Sequence, residues 1–477
     1  MQNSLLAAIH SFLGVEPTSQ QEVAIEKLHQ FTMSSQANSL FVLSGYAGTG
    51  KTTLVGAYIK ALSELKFKSV LLAPTGRAAK VLSSKSQRKV LTIHKKIYRR
   101  RVLAGGVSVL ELSPNLHKNT MFIIDEASMI GEYIPSNEGS GMSRNLLMDV
   151  LEFVFSGDGC KLIFVGDEGQ LPPVGSDYSP ALDLNFLNNL FLSVSLSEVR
   201  LTEVVRQSLS SDILLNANQL RYYKGIEFPK IQTSLKGDVV RLTGDQLQEY
   251  LESSYDRFGF DEVIIITKSN KRTNAYNQNV RNRILYREEE LCGGDRLMIV
   301  RNNYFWLEET SEAGFIANGE IIKLNRVLKQ VTLYGFEFVH VLAELIDFPQ
   351  IGDFETIVLV ETLHSETPSL SRERMKELFY AIEQDYVYER NKKKRYELVV
   401  NNPYFNALQV KYAYAITCHK AQGGQWPVVF LDHDYLKAEM LDASFFRWLY
   451  TGFTRASEQL YLVNFHSDFF EKSFQDD

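Results

Sequence analysis

Cysteine is scarce: Cys160, Cys292 and Cys418 are the only three in 477 residues, and they lie far apart. No disulfide framework or metal-ligand spacing can be made from them, which points to a reducing compartment. Long apolar runs are missing, since nothing approaches the ~20 residues a membrane helix needs. Met1 to Val15 has no basic segment leading into a signal-type core. The expectation is a soluble cytoplasmic protein with no membrane contact. Positive charge is not in excess either: 57 acidic residues against 51 basic ones give a formal charge of -6. Bulk attraction to nucleic acid is excluded, so any such contact must be a local basic track. Internal repeats, low-complexity tracts and a nuclease-type carboxylate cluster are also lacking. Disorder and collagen-like composition are excluded by 45% apolar and 23% charged residues. The length is enough for roughly three domains of about 150 residues.

Short apolar runs alternate with helical spacing through the first two hundred residues. Leu40 to Leu43, Val70 to Ala73, Met121 to Ile124 and Leu162 to Val165 have the continuous character of strands covered on both faces. Ser19 to Phe31 and Thr52 to Leu65 carry helical spacing, so the pattern predicts a doubly wound α/β domain. A second set of strands is expected at Val263 to Ile266, Tyr412 to Ile416, Val428 to Leu431 and Tyr461 to Val463. Between them, about Leu291 to Phe405, short alternating stretches such as Lys329 to Phe338 and Glu355 to Thr362 predict a small β-barrel. A charged helical segment, Ser369 to Arg395, interrupts it.

Gly45-Tyr-Ala-Gly48-Thr-Gly50-Lys51-Thr52 follows a strand and opens a helix, the context a phosphate-binding loop requires. Backbone amides of Gly45, Ala47, Gly48, Thr49 and Gly50 can cradle phosphate oxygens there, beside Thr53, because the helix N-terminus favours negative charge. Lys51 would reach the outer phosphates of ATP, and Thr52 would hold Mg²⁺. Asp125 and Glu126 close the strand Met121 to Ile124, where a second magnesium-directed carboxylate and a water-activating base belong. An ATPase is expected.

Further loops carry a specific resemblance. Ala73-Pro-Thr-Gly-Arg-Ala-Ala-Lys-Val-Leu82, Asp125-Glu-Ala-Ser-Met129 and Gly166-Asp-Glu-Gly-Gln-Leu-Pro-Pro-Val-Gly175 are followed by Ala415-Ile-Thr-Cys-His-Lys-Ala-Gln-Gly423 and Tyr450-Thr-Gly-Phe-Thr-Arg-Ala456. In this order they resemble the motifs of superfamily 1 helicases, in the subgroup containing RecD, Dda and the Pif-type enzymes, over about Pro17 to Val463. The resemblance implies two RecA-like P-loop motor domains, with a β-hairpin insertion in the first and an SH3-like β-barrel insertion in the second. The expected boundaries are residues 1–93 and 118–205 for the first motor domain, with the hairpin at 94–117. The second motor domain is expected at 206–290 and 406–477, and the barrel at 291–405 with its helical insertion about 369–395.

By the same resemblance, Gln21 reads adenine, Gln170 senses the γ-phosphate, and Arg206 and Arg455 reach the nucleotide from the second domain. Gly423 and Gln425 fall at nucleotide-contacting positions, although Gln425 stands where an acidic residue is usual. Gly452 and Phe453 also depart from the commoner pair before the final arginine. Strand contacts map onto Pro74, Thr75, Gly76, Thr417, His419 and Lys420. His94 matches a further position, with a buried structural role as the alternative. Tyr98, within the basic run Lys95 to Arg101, can stack on a base; a solvated face is the plainer alternative. Val102 to Leu110, centred on Gly105-Gly106, has hairpin-turn chemistry and falls where the subgroup carries a duplex-splitting pin. The activity implied is an ATP-dependent helicase moving 5′→3′ on single-stranded DNA, acting at single/double-strand junctions, as a monomer or with a partner subunit. A nucleotide-switched binding or assembly factor is the rival reading.

Overall fold

The apolar runs near the N-terminus become strands buried on both faces, as continuous hydrophobic stretches do when helices cover a parallel sheet. The computed structural model describes residues 2–102, 108–132, 145–190, 194–205, 211–223, 227–233, 237–308, 311, 313–367 and 369–470. Its strands are β1 Ser39–Gly45, β2 Lys68–Ala73, β3 Val90–Thr92, β4 Tyr98–Val102, β5 Ser108–Leu112, β6 Thr120–Ile124, β7 Lys161–Gly166, β8 Ser195–Leu201 and β9 Val239–Leu242. They continue as β10 Val263–Thr267, β11 Arg296–Ile299, β12 Ile321–Leu333, β13 Phe336–Leu345, β14 Phe354–Leu359, β15 Leu408–Tyr412, β16 Ala415–Thr417, β17 Trp426–Asp432 and β18 Ala456–Val463. The chain divides into a first unit of residues 1–97, 112–263 and 421–477 and a second of 98–111 and 264–420.

In the first unit a six-stranded parallel sheet runs β3-β2-β6-β7-β1-β8. Parallel neighbours need a crossover, supplied for example by the helix Lys51–Glu64 between β1 and β2. Phe41 and Leu43 of β1, Leu54 and Tyr58 of that helix, Ile123 of β6 and Val165 of β7 share one buried core. Tyr58 keeps its hydroxyl satisfied inside the core by a 2.8 Å bond with Thr32. The strand order has a direct consequence for chemistry. β6, β7 and β1 are neighbours, so the loops leaving their C-terminal ends emerge side by side, where open α/β sheets bind ligands. β17, β18 and β9 form a further parallel set in this unit.

In the second unit β11 to β15 close a barrel. β12 and β13 make a long hairpin through Tyr334-Gly335, both with positive φ, as a tight two-residue turn requires. The fifth strand, β15, lies beyond residue 405, and the expected run Tyr412 to Ile416 is divided between β15 and β16. A buried Asn277 holds that division: its amide donates to the carbonyls of Tyr412 and Ala415 and accepts from the amides of Tyr414 and Ala415. Beside it Asp295, fully buried, is gripped by Arg281, Arg287 and the Tyr414 hydroxyl.

The charged segment expected at 369–395 is two helices, Arg372–Glu383 and Lys392–Val400, separated because Asn391 caps the second. Leu378, Ile382 and Val399 fix this arm to the barrel residues Phe336, Phe338 and Leu359. β4 and β5 form a two-stranded sheet that groups with the barrel unit; the turn, residues 103–107, lies outside the described residues. The basic run therefore falls largely on β4. No helix among the described residues is long and apolar enough to cross a membrane.

Candidate nucleotide site and strand track

The loop between β1 and the helix Lys51–Glu64 turns on Gly48 and Gly50, with φ of 77° and 76°. A side chain at Gly50 is strained by that left-handed backbone, and Gln21 Nε2, 2.4 Å from an added Cβ, would have to shift. Gln21 is buried at the start of helix Ser19–Met33. It accepts from Thr18 N–H at 2.9 Å in a capping box and donates to Thr49 O at 2.9 Å. It braces the loop from behind and is not among the residues lining the cavity.

That cavity, of about 480 Å³, is lined by Ala47, Gly48, Gly50, Lys51, Thr52, Thr53, Asp125, Glu126, Gln170, Gly423, Gln425 and Arg455 among others, all within the first unit. Lys51 folds back, donating to the carbonyls of Gly45 and Tyr46 with Asp167 at 3.8 Å. Asp125 follows β6 and accepts from Glu126 N–H at 2.9 Å. Burial, and then the Glu126 charge beside it, push the Asp125 carboxyl up to about 7 against the opposing pull of Lys51. Glu126 holds a left-handed backbone, φ 53°, an uncommon conformation for a residue with a side chain and one that clusters at functional sites. Gln170 is buried with its Oε1 unpartnered among the described residues. Arg455, also buried, uses its guanidinium on Thr451 O, Gly424 O and the Thr454 hydroxyl.

Three features in and beside this cavity add partnerships that the expected positions do not include. Asp167, 1% exposed at the end of β7, accepts from Gly169 N–H at 2.9 Å and from the Tyr450 hydroxyl at 2.7 Å. Tyr450, on helix Ala443–Phe453, also accepts from the Ala47 amide at 2.7 Å. One phenol thus joins the phosphate loop, the loop after β7 and the helix that ends beside Arg455. Gly423 and Gly424 form the third feature. A Cβ on Gly423 would stand 2.8 Å from Ala78, and one on Gly424 2.6 Å from the Trp426 ring, itself covered by the Arg77 guanidinium at 3.9 Å. Asp167 and Tyr450 each stand second or first in a quoted motif, so position was visible while partnership was not.

The remaining expected residues are dispersed. Thr75 caps helix Gly76–Ser86, its hydroxyl accepting from Ala78 N–H at 3.2 Å, with Pro74 just before and Gly76 buried. His94 is half-buried, and burial lowers its imidazole to about 4, Asp149 opposing. Tyr98 is buried at 7% exposure, so its ring is not offered to solvent. In the second unit Thr417 ends β16, His419 is exposed, and Lys420 donates to Asn318 Oδ1 at 2.5 Å with its ammonium lowered to about 8 by burial. Arg206 lies outside the described residues.

A phosphate loop, a half-buried acidic pair, a buried glutamine with an open oxygen and an arginine around one cavity define a P-loop nucleotide-binding protein. The comparisons narrow the class. Residues 18–226 match the AAA domain family and residues 412–463 the UvrD-like helicase C-terminal domain. The RecD2 DNA helicase of Deinococcus radiodurans is 31% identical over 38% of this chain and 21% of that protein. The Dda helicase of Enterobacteria phage T4 is 27% identical over 54% of this chain and 55% of its own. A Bacteroides Pif1 helicase solved with ADP-AlF3 and single-stranded DNA covers 96% of this chain and 95% of its own at 15% identity and a TM-score of 0.47. The two family matches and the RecD2 and Dda relatives make the chain similar to superfamily 1 helicases of the RecD- and Dda-like subgroup.

Proposed function

We propose that this protein is an ATP-dependent DNA helicase that travels 5′→3′ on a single strand and parts duplex DNA at junctions. The observation that carries the reading is the lining of one cavity by Lys51, Thr52, Asp125, Glu126, Gln170 and Arg455. The donor set fits Mg²⁺ and a nucleotide triphosphate: a hydroxyl and a carboxyl stand beside an ammonium at the positive end of a helix. Bound there, magnesium would neutralise phosphate charge. On the protein's side, Lys51 leaves the Gly45 and Tyr46 carbonyls to meet the outer phosphates, and Thr52 and Asp125 hold the ion. Glu126 orients the attacking water and takes its proton. Gln170 presents its open oxygen to the same region and reports the nucleotide state to the track. Arg455 gives up its backbone partners to stabilise spreading negative charge, with Arg206 as the second arginine. Gln21 secures the base side through the loop it braces, and Gln425 and Gly423 border the nucleotide.

On the track, Pro74, Thr75, Gly76, Thr417, His419 and Lys420 contact phosphates without reading bases. His94 and Tyr98 support it from partly or fully buried positions. The proposed domains remain two motor domains, 1–93 with 118–205 and 206–290 with 406–477, carrying the hairpin and the barrel. Strand separation of short duplexes with a 5′ or a 3′ single-stranded tail tests the proposal. Selective opening of the 5′-tailed duplex is expected. Opening only of the 3′-tailed one refutes the polarity, and hydrolysis with neither opened refutes the motor.

A further inference from the structure

The tip of the helical arm on the barrel is locally basic. Between Tyr386 and Glu397 five cations accompany two carboxylates, in a protein whose formal charge is -6. Two of those cations are paired, Lys394 with Glu389 at 3.1 Å and Arg395 with Glu383 at 2.9 Å. Arg390, Lys392 and Lys393 are exposed and make no ion pair among the described residues. Beside them Tyr388 is 73% exposed. The tip does not dangle: Tyr386, whose ring lies 6.4 Å from that of Tyr388, accepts from Asn402 at 3.1 Å, and Leu378, Ile382 and Val399 seat both helices in the barrel core.

Two of these placements work against the free protein. Lys392, Lys393 and Lys394 fill the first turn of a helix with no acidic residue there, against the positive end of its dipole. Tyr388 leaves a large ring in water although the barrel core lies close by. A polyanion relieves the first, and an unpaired base relieves the second. Duplex DNA answers only the charge, because its base faces are already stacked; a basic surface next to an open aromatic ring suits a single strand.

We propose that the arm tip is a second strand-binding surface, taking single-stranded nucleic acid with its phosphates on Arg390, Lys392 and Lys393 and one base on the Tyr388 ring. It is separate from the track residues named above, and it rests on nucleic acid being the substrate. A helicase so equipped holds a strand at the barrel while its motor moves.

The test uses the full chain and a fluorescent single-stranded oligonucleotide, with anisotropy read over a salt series, and a blunt duplex of equal length for comparison. Each phosphate contact on a single strand adds about 0.7 to the salt slope, so Lys392→Ala with Lys393→Ala lowers the slope by about 1.4. Lys392→Arg with Lys393→Arg keeps it. Tyr388→Ala weakens single-strand binding by about fivefold or more and leaves the duplex unaffected. Unchanged slope and affinity in the Ala variants overturn the proposal. Equal losses on the blunt duplex also overturn it, replacing a strand surface by a duplex one. Basal hydrolysis without DNA stays at the wild-type level in all variants, since none lines the nucleotide cavity. Failure of the unmutated protein to separate tailed duplexes counts against the helicase reading alone, because the binding series is read without ATP.

Discussion

Replacing Tyr450 by phenylalanine removes one oxygen and leaves the ring packing against Gly169 in place. Burial, and then the Asp167 charge, raise the phenol well above its ordinary value, so it keeps its proton and is a donor throughout the working pH range. The substitution deletes a 2.7 Å bond to a buried carboxylate and a 2.7 Å bond from the Ala47 amide. A hydrogen bond to a charged group is worth about 1.5–3 kcal/mol, and an orphaned amide costs about 1 kcal/mol. The sum, about 2.5–4 kcal/mol, falls on the nucleotide-free protein. Asp167 loses one of its two hydrogen-bond donors and pulls harder on Lys51, 3.8 Å away, so the lysine leaves less readily for phosphate. Urea unfolding followed by tryptophan fluorescence should show the destabilisation, and steady-state hydrolysis should show KM for ATP rising several-fold with kcat changed less. A variant within about 0.5 kcal/mol of wild type and with unchanged KM would refute the argument that this phenol organises the loop.

Glu126→Gln keeps the left-handed turn and the volume but removes the proton acceptor; nucleotide and DNA binding persist while turnover, measured by phosphate release, falls by about 10²–10⁴. Gly50→Ala meets Gln21 Nε2 at 2.4 Å in a φ of 76°, so nucleotide binding by calorimetry is lost and stability drops by more than about 1 kcal/mol. His94 is lowered from 6.5 to about 4, so its neutral form is the one the fold favours. Its stabilisation is whole above pH 6.5 and is lost as pH falls through 4, up to about 3 kcal/mol, and His94→Gln should flatten the thermal stability profile across that window.

Much of the fold was legible because buried parallel strands write themselves as continuous apolar runs. β1, β2, β6 and β7 each coincide with such a run. β8, Ser-Leu-Ser-Glu-Val-Arg-Leu, did not stand out, since an edge strand alternates and mixes polar residues into the pattern. The break between β15 and β16 was hidden for a different reason. It is made by the side chain of Asn277, 135 to 138 residues away in sequence, and local periodicity cannot register it. In the cavity, Lys51, Thr52, Asp125 and Glu126 were legible through spacing alone. The Tyr450–Asp167 bond was not, because its partners are 283 residues apart and each is an ordinary residue in isolation.

The join between β15 and β16 has a mechanical meaning. Only Ala413 and Tyr414 separate the last barrel strand from the strand that delivers Thr417, and all the slack such a link could hold is taken up by Asn277. The bend is further pinned by the Tyr414 hydroxyl on Asp295, under two arginines. An engineer would call this a welded corner, with no pivot in it. On the proposed roles, a pull on the barrel reaches Thr417 through this short link, so drag on a strand held at the arm is felt, as tension, at a proposed track residue.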